Sequence, residues 1–458
     1  MKLKSFALTS VTFCFAAICG TASAQAVSLT KIVGGISNAR GVSFGPEDSL
    51  YVAEPGIGGN GNCQPSPSTL FQPICAGNTS SLVKVAPDGT TQRIFNNFES
   101  LAEQPSGNQG AGIEDIQFDS QGNAYLLTGF AGYPGNRDLE TLNLGSQSTI
   151  PAQQLATFPP STPDKVLNTP LLAQLYKADL NTGSLTSIFD FAKYEVTNNP
   201  DKGDVVTNPY DLAISGDSAY VVDGGGNTAY KIKLDGSGSQ AIAIPKNTIS
   251  KSDLPPGLQL PPGLLEELPG GKVAIQSVPT GGAIGPDGAL YVGEYTGFPY
   301  PAGKSRIFRI GDDLKPEVFL DGFTHITDLT FDEKGDLLVL QFSDKSQLGG
   351  DITNLPGSLI QVAPDGTRTT LVAAGQGLDS ADGIDIGPDG KIYITNRGVG
   401  VGLGEVVRVD GIVTRTVPES GSVIGLLALA GVGATGAFAK RKRPEKLDEE
   451  LLAKAETV

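Results

Sequence analysis

Tryptophan is absent from the 458 residues, and methionine and histidine each occur once. The single histidine, His325, excludes every mechanism that needs two imidazoles and every His-clustered zinc site; with four cysteines in the whole chain, Cys-ligated zinc is remote as well. Charge is also scarce. Charged residues make up 18%, against a usual quarter, and acids outnumber bases by 49 to 33, a net charge of −16. A charge of that sign repels phosphate backbones and excludes nucleic acid as a partner. Glycine, by contrast, is abundant at 60 residues, beside 39% hydrophobic residues. The apolar share is enough to bury a large core and rules out disorder for most of the length. The glycine predicts many short strands joined by tight turns. The length exceeds one ordinary domain and suits either two domains or one large all-β unit.

Both ends of the chain read as addresses. Lys2 and Lys4 precede an apolar run from Phe6 to Gly20 and the small residues Thr21-Ala-Ser-Ala24. That order defines a cleavable secretory signal peptide over residues 1–24. At the other end Val417-Pro418-Glu419 leads into a stretch without charge from Gly421 to Ala439, followed by Lys440-Arg-Lys-Arg443. The stretch is long enough to cross a hydrocarbon core of about 30 Å as one transmembrane helix, and the basic cluster marks its cytoplasmic side. Residues 417–443 resemble the PEP-CTERM sorting signal, which implies an exosortase-type membrane protease as a partner; residues 444–458 form a short charged cytoplasmic tail. Cleavage of the tail and retention as a membrane anchor are both open. The expected location is therefore exported, periplasmic or extracellular. Of the cysteines that remain after the signal peptide, Cys63 and Cys75 share a Gly/Pro-rich loop and are expected to form a disulfide.

Between the addresses, in residues 25–416, one unit recurs six times. Its clearest copy is Gly383-Ile-Asp-Ile-Gly-Pro-Asp-Gly-Lys-Ile-Tyr-Ile-Thr-Asn396; others begin at Gly41, Asp115, Asp211, Gly281 and Asp328. Each is an apolar alternation, a turn usually holding Gly or Asp, and a second β-rich run, which is a hairpin signature. A third strand follows every hairpin, as in Leu82-Val-Lys-Val85 or Arg306-Ile-Phe-Arg309, and usually a fourth. Four antiparallel strands repeated six times predict an all-β, six-bladed β-propeller. The orphan strand Val27 to Val33 is expected to close the ring on the last blade, as its outer strand or beside Ile412 to Thr416.

Function should sit in the insertions 55–80, 129–174 and the Pro-rich 246–278, and in a polar ring at the channel mouth. The second strand ends on Glu54, Thr128, Asp223, Glu294, Gln341 and Asn396, all with a side-chain oxygen. At the start of the innermost strand stand Asp115, Asp211 and Asp328, with Asp382 one residue earlier in the last copy. Three readings are open for these groups. They cap turns; they are hard oxygen ligands for Ca²⁺, with Glu54, Asp223 and Asn396 as the metal set; or close carboxylates raise one another's pKa for acid or base work. Tyr295, Phe298 and Tyr300 would offer stacking surface near the mouth. No nucleophile motif, phosphate loop or metal spacing of high specificity is present, and Gly224-Gly-Gly226 reads as a turn.

The blade units resemble NHL-repeat propellers. Asn208-Pro-Tyr-Asp-Leu-Ala213, Asp223-Gly-Gly-Gly-Asn227, Tyr295-Thr-Gly-Phe-Pro-Tyr-Pro301 and Arg306-Ile-Phe-Arg309 are similar to the cyanobacterial ScyD/ScyE family, associated with gene clusters for the pigment scytonemin. The resemblance spans roughly residues 27–416. It implies an exported propeller acting on or holding an aromatic pigment precursor, and it carries over no catalytic residue. The expectation is thus a propeller that binds a small aromatic ligand or a protein partner at the cell envelope. The alternatives are a Ca²⁺-dependent hydrolase of the gluconolactonase type, an oxidative coupling enzyme in pigment assembly, and a structural protein of the envelope or matrix.

Overall fold

The computed structural model describes residues 27–145, 164–254, 258 and 265–411. The expected signal peptide and the tail from residue 417 onward lie outside the described residues. The chain divides into two units, Met1–Ile412 and Val413–Val458, and only the first contains described residues. Among them no helix is long and apolar enough to cross a membrane.

The described part is all-β and built of antiparallel sheets. Sheet 1 holds Val42–Phe44, Leu50–Glu54, Cys63–Pro65, Pro73–Val85 and Thr91–Glu103; sheet 2 holds Ile113–Phe118, Ala124–Thr128, Gln174–Asp179 and Ser184–Asp190. Sheet 3 comprises Pro209–Ser215, Ser218–Asp223, Thr228–Lys233 and Ser239–Ala243; sheet 4 comprises Pro279–Ile284, Leu290–Glu294, Ser305–Ile310 and Pro316–Phe323. In sheet 5 the strands are Ile326–Phe331, Leu337–Gln341, Ser358–Val362 and Arg368–Val372. Sheet 6 takes Ile384–Ile386, Ile392–Asn396 and Gly404–Asp410 from the end of the chain and Ser28–Ile36 from its beginning. The orphan strand therefore serves as the outer strand of the last sheet, which ties the two ends of the described fold together.

The repeated letters have local causes. In the Pro-Asp-Gly turns Gly288 and Gly390 adopt φ of 78° and 70°, a region closed to most side chains, and each donates its N–H back to Gly285 or Gly387. The turn aspartate then receives the hydroxyl of the strand tyrosine: Tyr291 to Asp287 at 3.3 Å, Tyr393 to Asp389 at 3.1 Å, Tyr125 to Asp119 at 3.2 Å. Apolar residues of neighbouring sheets interlock, as Tyr51, Ile116, Leu126, Leu212 and Val221 do across sheets 1 to 3. Each fully buried side chain of this kind contributes about 2 kcal/mol.

The first strands of the six sheets are neighbours around a closed circuit, sheet 6 returning to sheet 1. A polar side chain bridges every junction to the next inner strand. Ser43 Oγ donates to the Ile116 carbonyl, Asp115 accepts from Leu212 N, Asp211 from Gly282 N, Thr280 Oγ1 donates to the Ile326 carbonyl, Asp328 accepts from Ile384 N and Asp385 from Phe44 N, all at 2.5–3.2 Å.

In the Pro-rich insertion 246–278, Asn247–Ser250, Lys272–Ile275 and Glu266–Leu268 form a small three-stranded sheet over a core of Ile249, Val273 and Ile275. In the first insertion Cys63 and Cys75 are joined, closing a separation of 12 residues between paired strands. Replacing both by serine is expected to lower unfolding free energy by about 3 kcal/mol in chemical denaturation, the loop-closure value. An unchanged midpoint would contradict it.

Candidate functional site

The strand-end oxygens expected at a mouth are instead consumed by neighbouring segments and strands. Glu54 accepts from Ser37 N at 2.9 Å, Ser81 Oγ at 2.5 Å and Arg93 Nε at 2.7 Å. Glu294 holds the same clamp in sheet 4, with Arg306 Nε at 2.7 Å, Ser277 Oγ at 2.8 Å and Asn247 Nδ2 at 3.1 Å. Asp223 receives Thr207 Oγ1, Asn208 N and Gly226 N at 2.5–2.8 Å; Asn396 receives Asp379 N and donates to the Gly377 carbonyl. Thr128 and Gln341 likewise close their own loops. Glu54, Asp223 and Asn396 thus stand in three different sheets, each with its own partners, and do not converge as a Ca²⁺ set. Among the described residues no group of three or more His, Cys, Asp or Glu side chains is placed to hold a metal ion. Turn capping accounts for these residues.

Asp115, Asp211 and Asp328 do come together. They are the ring tethers described above, and each also accepts its successor's N–H, from Ile116, Leu212 and Leu329. Burial pushes all three carboxyls up, Asp211 to about 6, and the Asp211 charge raises Asp115 and Asp328 further. The expectation of carboxylates raising one another's pKa describes this trio, but backbone N–H groups occupy them.

Four of the residues one position earlier, Arg40, Tyr210, Thr280 and Asp382, line a cavity. In sheets 2 to 5 the ladder between first and second strands slips at Glu114, Tyr210, Thr280 and Thr327, each left without a partner opposite it. These are β-bulges, which re-aim a side chain out of the strict alternation. Arg40 and Asp382 hold the equivalent places in sheets 1 and 6. Four of the six meet. Arg40 Nη1 reaches Asp382 Oδ2 at 3.2 Å and the Gly398 carbonyl, and its Nε lies 3.3 Å from Glu114 Oε2. Tyr210 donates its hydroxyl to Asp382 Oδ2 at 2.7 Å, with the guanidinium 5.5 Å from its ring centre. Burial raises Glu114 to about 8 despite Arg40, and it raises Asp382 above the usual range although Arg40 and Tyr210 oppose it.

Above this floor opens a cavity of ≈ 820 Å³. Arg40, Tyr210, Thr280 and Asp382 line its base; Tyr295, Phe298, Tyr300 and Phe342 form an aromatic wall; Leu70 and Phe71 of the disulfide loop and Lys202, Asp204, Lys246 and Glu266 line it as well. The three aromatic residues expected at the mouth are therefore there. Tyr295 is a fixed platform. One face stacks on His325 (centroids 4.6 Å, planes 16° apart), its hydroxyl donates to Gln347 Oε1 at 2.5 Å, and Tyr300 and Phe342 meet it edge-on. Burial pulls His325 down to about 4, so the imidazole is neutral and donates from Nε2 to the Tyr300 carbonyl at 3.2 Å. The 246–278 insertion contributes Gln276 and Val278 to the lining, whereas no described residue of 129–174 does.

Arg40, Glu114, Tyr210, Phe342 and His325 were not singled out from the sequence as site residues. A signal existed for the first three: the column before the Asp/Gly column of the repeat reads Arg, Glu, Tyr, Thr, Thr, Asp, polar in every copy.

No family model matches the chain, and no curated protein does. Solved structures with a similar chain course include a gluconolactonase from Xanthomonas campestris (12% identity, TM-score 0.43, covering 83% of this chain and 89% of that one). Others are a virginiamycin B lyase from Staphylococcus aureus solved with quinupristin (12%, 0.41, 84% and 98%) and a glucose dehydrogenase (12%, 0.44, 83% and 98%). At these identities and TM-scores the likeness carries nothing about activity.

The axial trio sets a pH dependence. A carboxyl whose folded pKa of about 6 exceeds its unfolded value near 4 contributes stability that is complete below about 4 and lost as pH rises through 6. The difference in melting temperature between wild type and Asp211→Asn is expected to shift against the wild type from pH 4 to pH 7. A difference constant over that range would contradict it.

Proposed function

We propose that this chain is a six-bladed propeller, exported to the periplasm or beyond and sorted or anchored by its tail, that binds a small aromatic ligand in the axial cavity. The observation that carries the ligand reading is the Tyr295 ring, backed on one face by a buried neutral imidazole and lining the cavity with Phe298, Tyr300 and Phe342. A platform held on one face, by its hydroxyl and along its edges loses little freedom when a planar ring stacks on it, so the stacking gain of about 0.5–1.5 kcal/mol beyond area burial is not offset by ordering. The volume of ≈ 820 Å³ falls among small-molecule sites of roughly 300–1,000 Å³. Six sheets, each with its first strand against the next, and an outer strand supplied from the chain's start support the propeller reading. Support for export comes from the charged-apolar-small order of residues 1–24 and from an oxidised cysteine pair, which reducing compartments disfavour.

The test is calorimetric titration of the purified protein with planar two- and three-ring aromatics, beside Phe298→Ala. Phe298 is half-buried and touches Tyr300 edge-on at 5.9 Å, so its truncation removes wall surface without opening the core. Wild type is expected to bind with one-to-one stoichiometry. The variant should bind about tenfold more weakly, the loss of about 1.4 kcal/mol of contact, at a nearly unchanged melting temperature. No binding by wild type, or equal binding by both, would contradict the reading.

A further inference from the structure

We propose that the ligand of this cavity is an aromatic molecule carrying an O–H or N–H donor on its ring, and that Asp382 Oδ1 is the atom that receives the donor. The inference rests on the aromatic-ligand reading above and narrows it to a chemical class. The two oxygens of Asp382 differ. Oδ2 is committed to Arg40 Nη1 at 3.2 Å and to the Tyr210 hydroxyl at 2.7 Å. Oδ1 takes no hydrogen bond from any described residue, yet it is not among the sealed polar atoms without a partner; Asp382 lines the cavity, so that oxygen faces it.

The carboxyl is also held in place. Asp382 N donates to the Thr395 carbonyl at 2.9 Å, and Gly398 packs against the side chain so closely that a Cβ there would stand 2.7 Å from Asp382 Cβ. The side chain is therefore braced on its Oδ2 side by Arg40 and Tyr210 and on its Cβ side by the 398 backbone. The charge of Asp382 acts on the Tyr295 hydroxyl, so platform and acceptor belong to one electrostatic neighbourhood. Two other carboxylates, Asp204 and Glu266, line the cavity, but Asp204 is less deeply buried than Asp382, with Lys246 acting on it, and Glu266 is exposed and paired with Lys246 at 3.0 Å. A cavity-facing acceptor on a residue only 3% exposed, whose other oxygen already serves two donors, has little water to fall back on. A site of that kind favours a ligand that supplies the missing donor and rejects its capped analogue, because the buried acceptor is then left unpaired.

The experiment compares naphthol with methoxynaphthalene, the same ring with its donor capped, by titration into wild type, Asp382→Asn and Asp204→Asn. Wild type is expected to prefer naphthol by at least about tenfold, and Asp204→Asn to keep that preference. In Asp382→Asn the amide oxygen must stay on Arg40 and Tyr210, which turns the NH₂ into the cavity, so the preference should vanish or invert. Equal, measurable affinities of wild type for both probes would overturn the Asp382 inference while leaving the aromatic cavity standing. Retention of the preference in Asp382→Asn, or its loss in Asp204→Asn, would also overturn it. Binding of neither probe would overturn the cavity reading and this inference together. Should Asp382→Asn fail to fold, the wild type compared with Asp204→Asn and Glu266→Gln decides: the preference kept in both supports the inference, and its loss in either overturns it.

Discussion

A circuit of side-chain-to-backbone hydrogen bonds between inner strands is the interaction on which the rest of this structure depends. Sheets packed against one another could slide or splay, since apolar packing between them is not directional. Ser43, Asp115, Asp211, Thr280, Asp328 and Asp385 remove that freedom, each fastening its sheet to the main chain of the next. The cost is three carboxyls buried within each other's fields, whose charged forms the interior disfavours. The outer strand Ser28–Ile36 then pairs with Gly404–Asp410, joining the start of the described chain to its last sheet.

The same geometry generates the cavity floor. A tether points sideways, into the junction with the next sheet. At Glu114 and Tyr210 the bulge turns the residue before the tether towards Arg40 and Asp382, whereas the bulged Thr280 is itself a tether and the bulged Thr327 donates to the Ala381 carbonyl at the start of the next sheet. Placing Arg40 among Glu114, Asp382 and Tyr210 then builds a dense polar network where water is largely excluded, with its donors and acceptors mostly engaged internally. Beside it, Tyr295, Tyr300, Phe298 and Phe342 come from loops that leave the ends of second strands, so the wall is carried by loops and the floor by the ring.

The repeat unit was legible because its causes are local: period-two alternation, a Gly with positive φ, and a Tyr–Asp latch six or fewer residues apart. The closing strand was legible because an unpaired strand needs a sheet. The choice among the three readings of the strand-end acids was not legible, because the guanidinium groups that engage Glu54 and Glu294, those of Arg93 and Arg306, arrive from other strands of the sheet and leave no mark beside them in the sequence. The mouth was misplaced by one residue because alternation assumes an unbroken ladder, and a bulge shifts every assignment beyond it. Tyr295, Phe298 and Tyr300 were legible because three aromatic residues stand together in one short loop that follows a second strand. Phe342 was passed over as a site residue, and His325, noted only for being the single histidine, carries no sequence mark of the Tyr295 ring it stacks on.

The most direct measurement is a crystal structure of the protein grown with naphthol. The account predicts density for the ring against the free face of Tyr295, its oxygen within about 2.7 Å of Asp382 Oδ1, over a floor in which Glu114, Tyr210 and Thr280 remain bulged. Density outside the axial cavity, or inner strands in unbroken register with Arg40 and Asp382 turned away from the mouth, would contradict it.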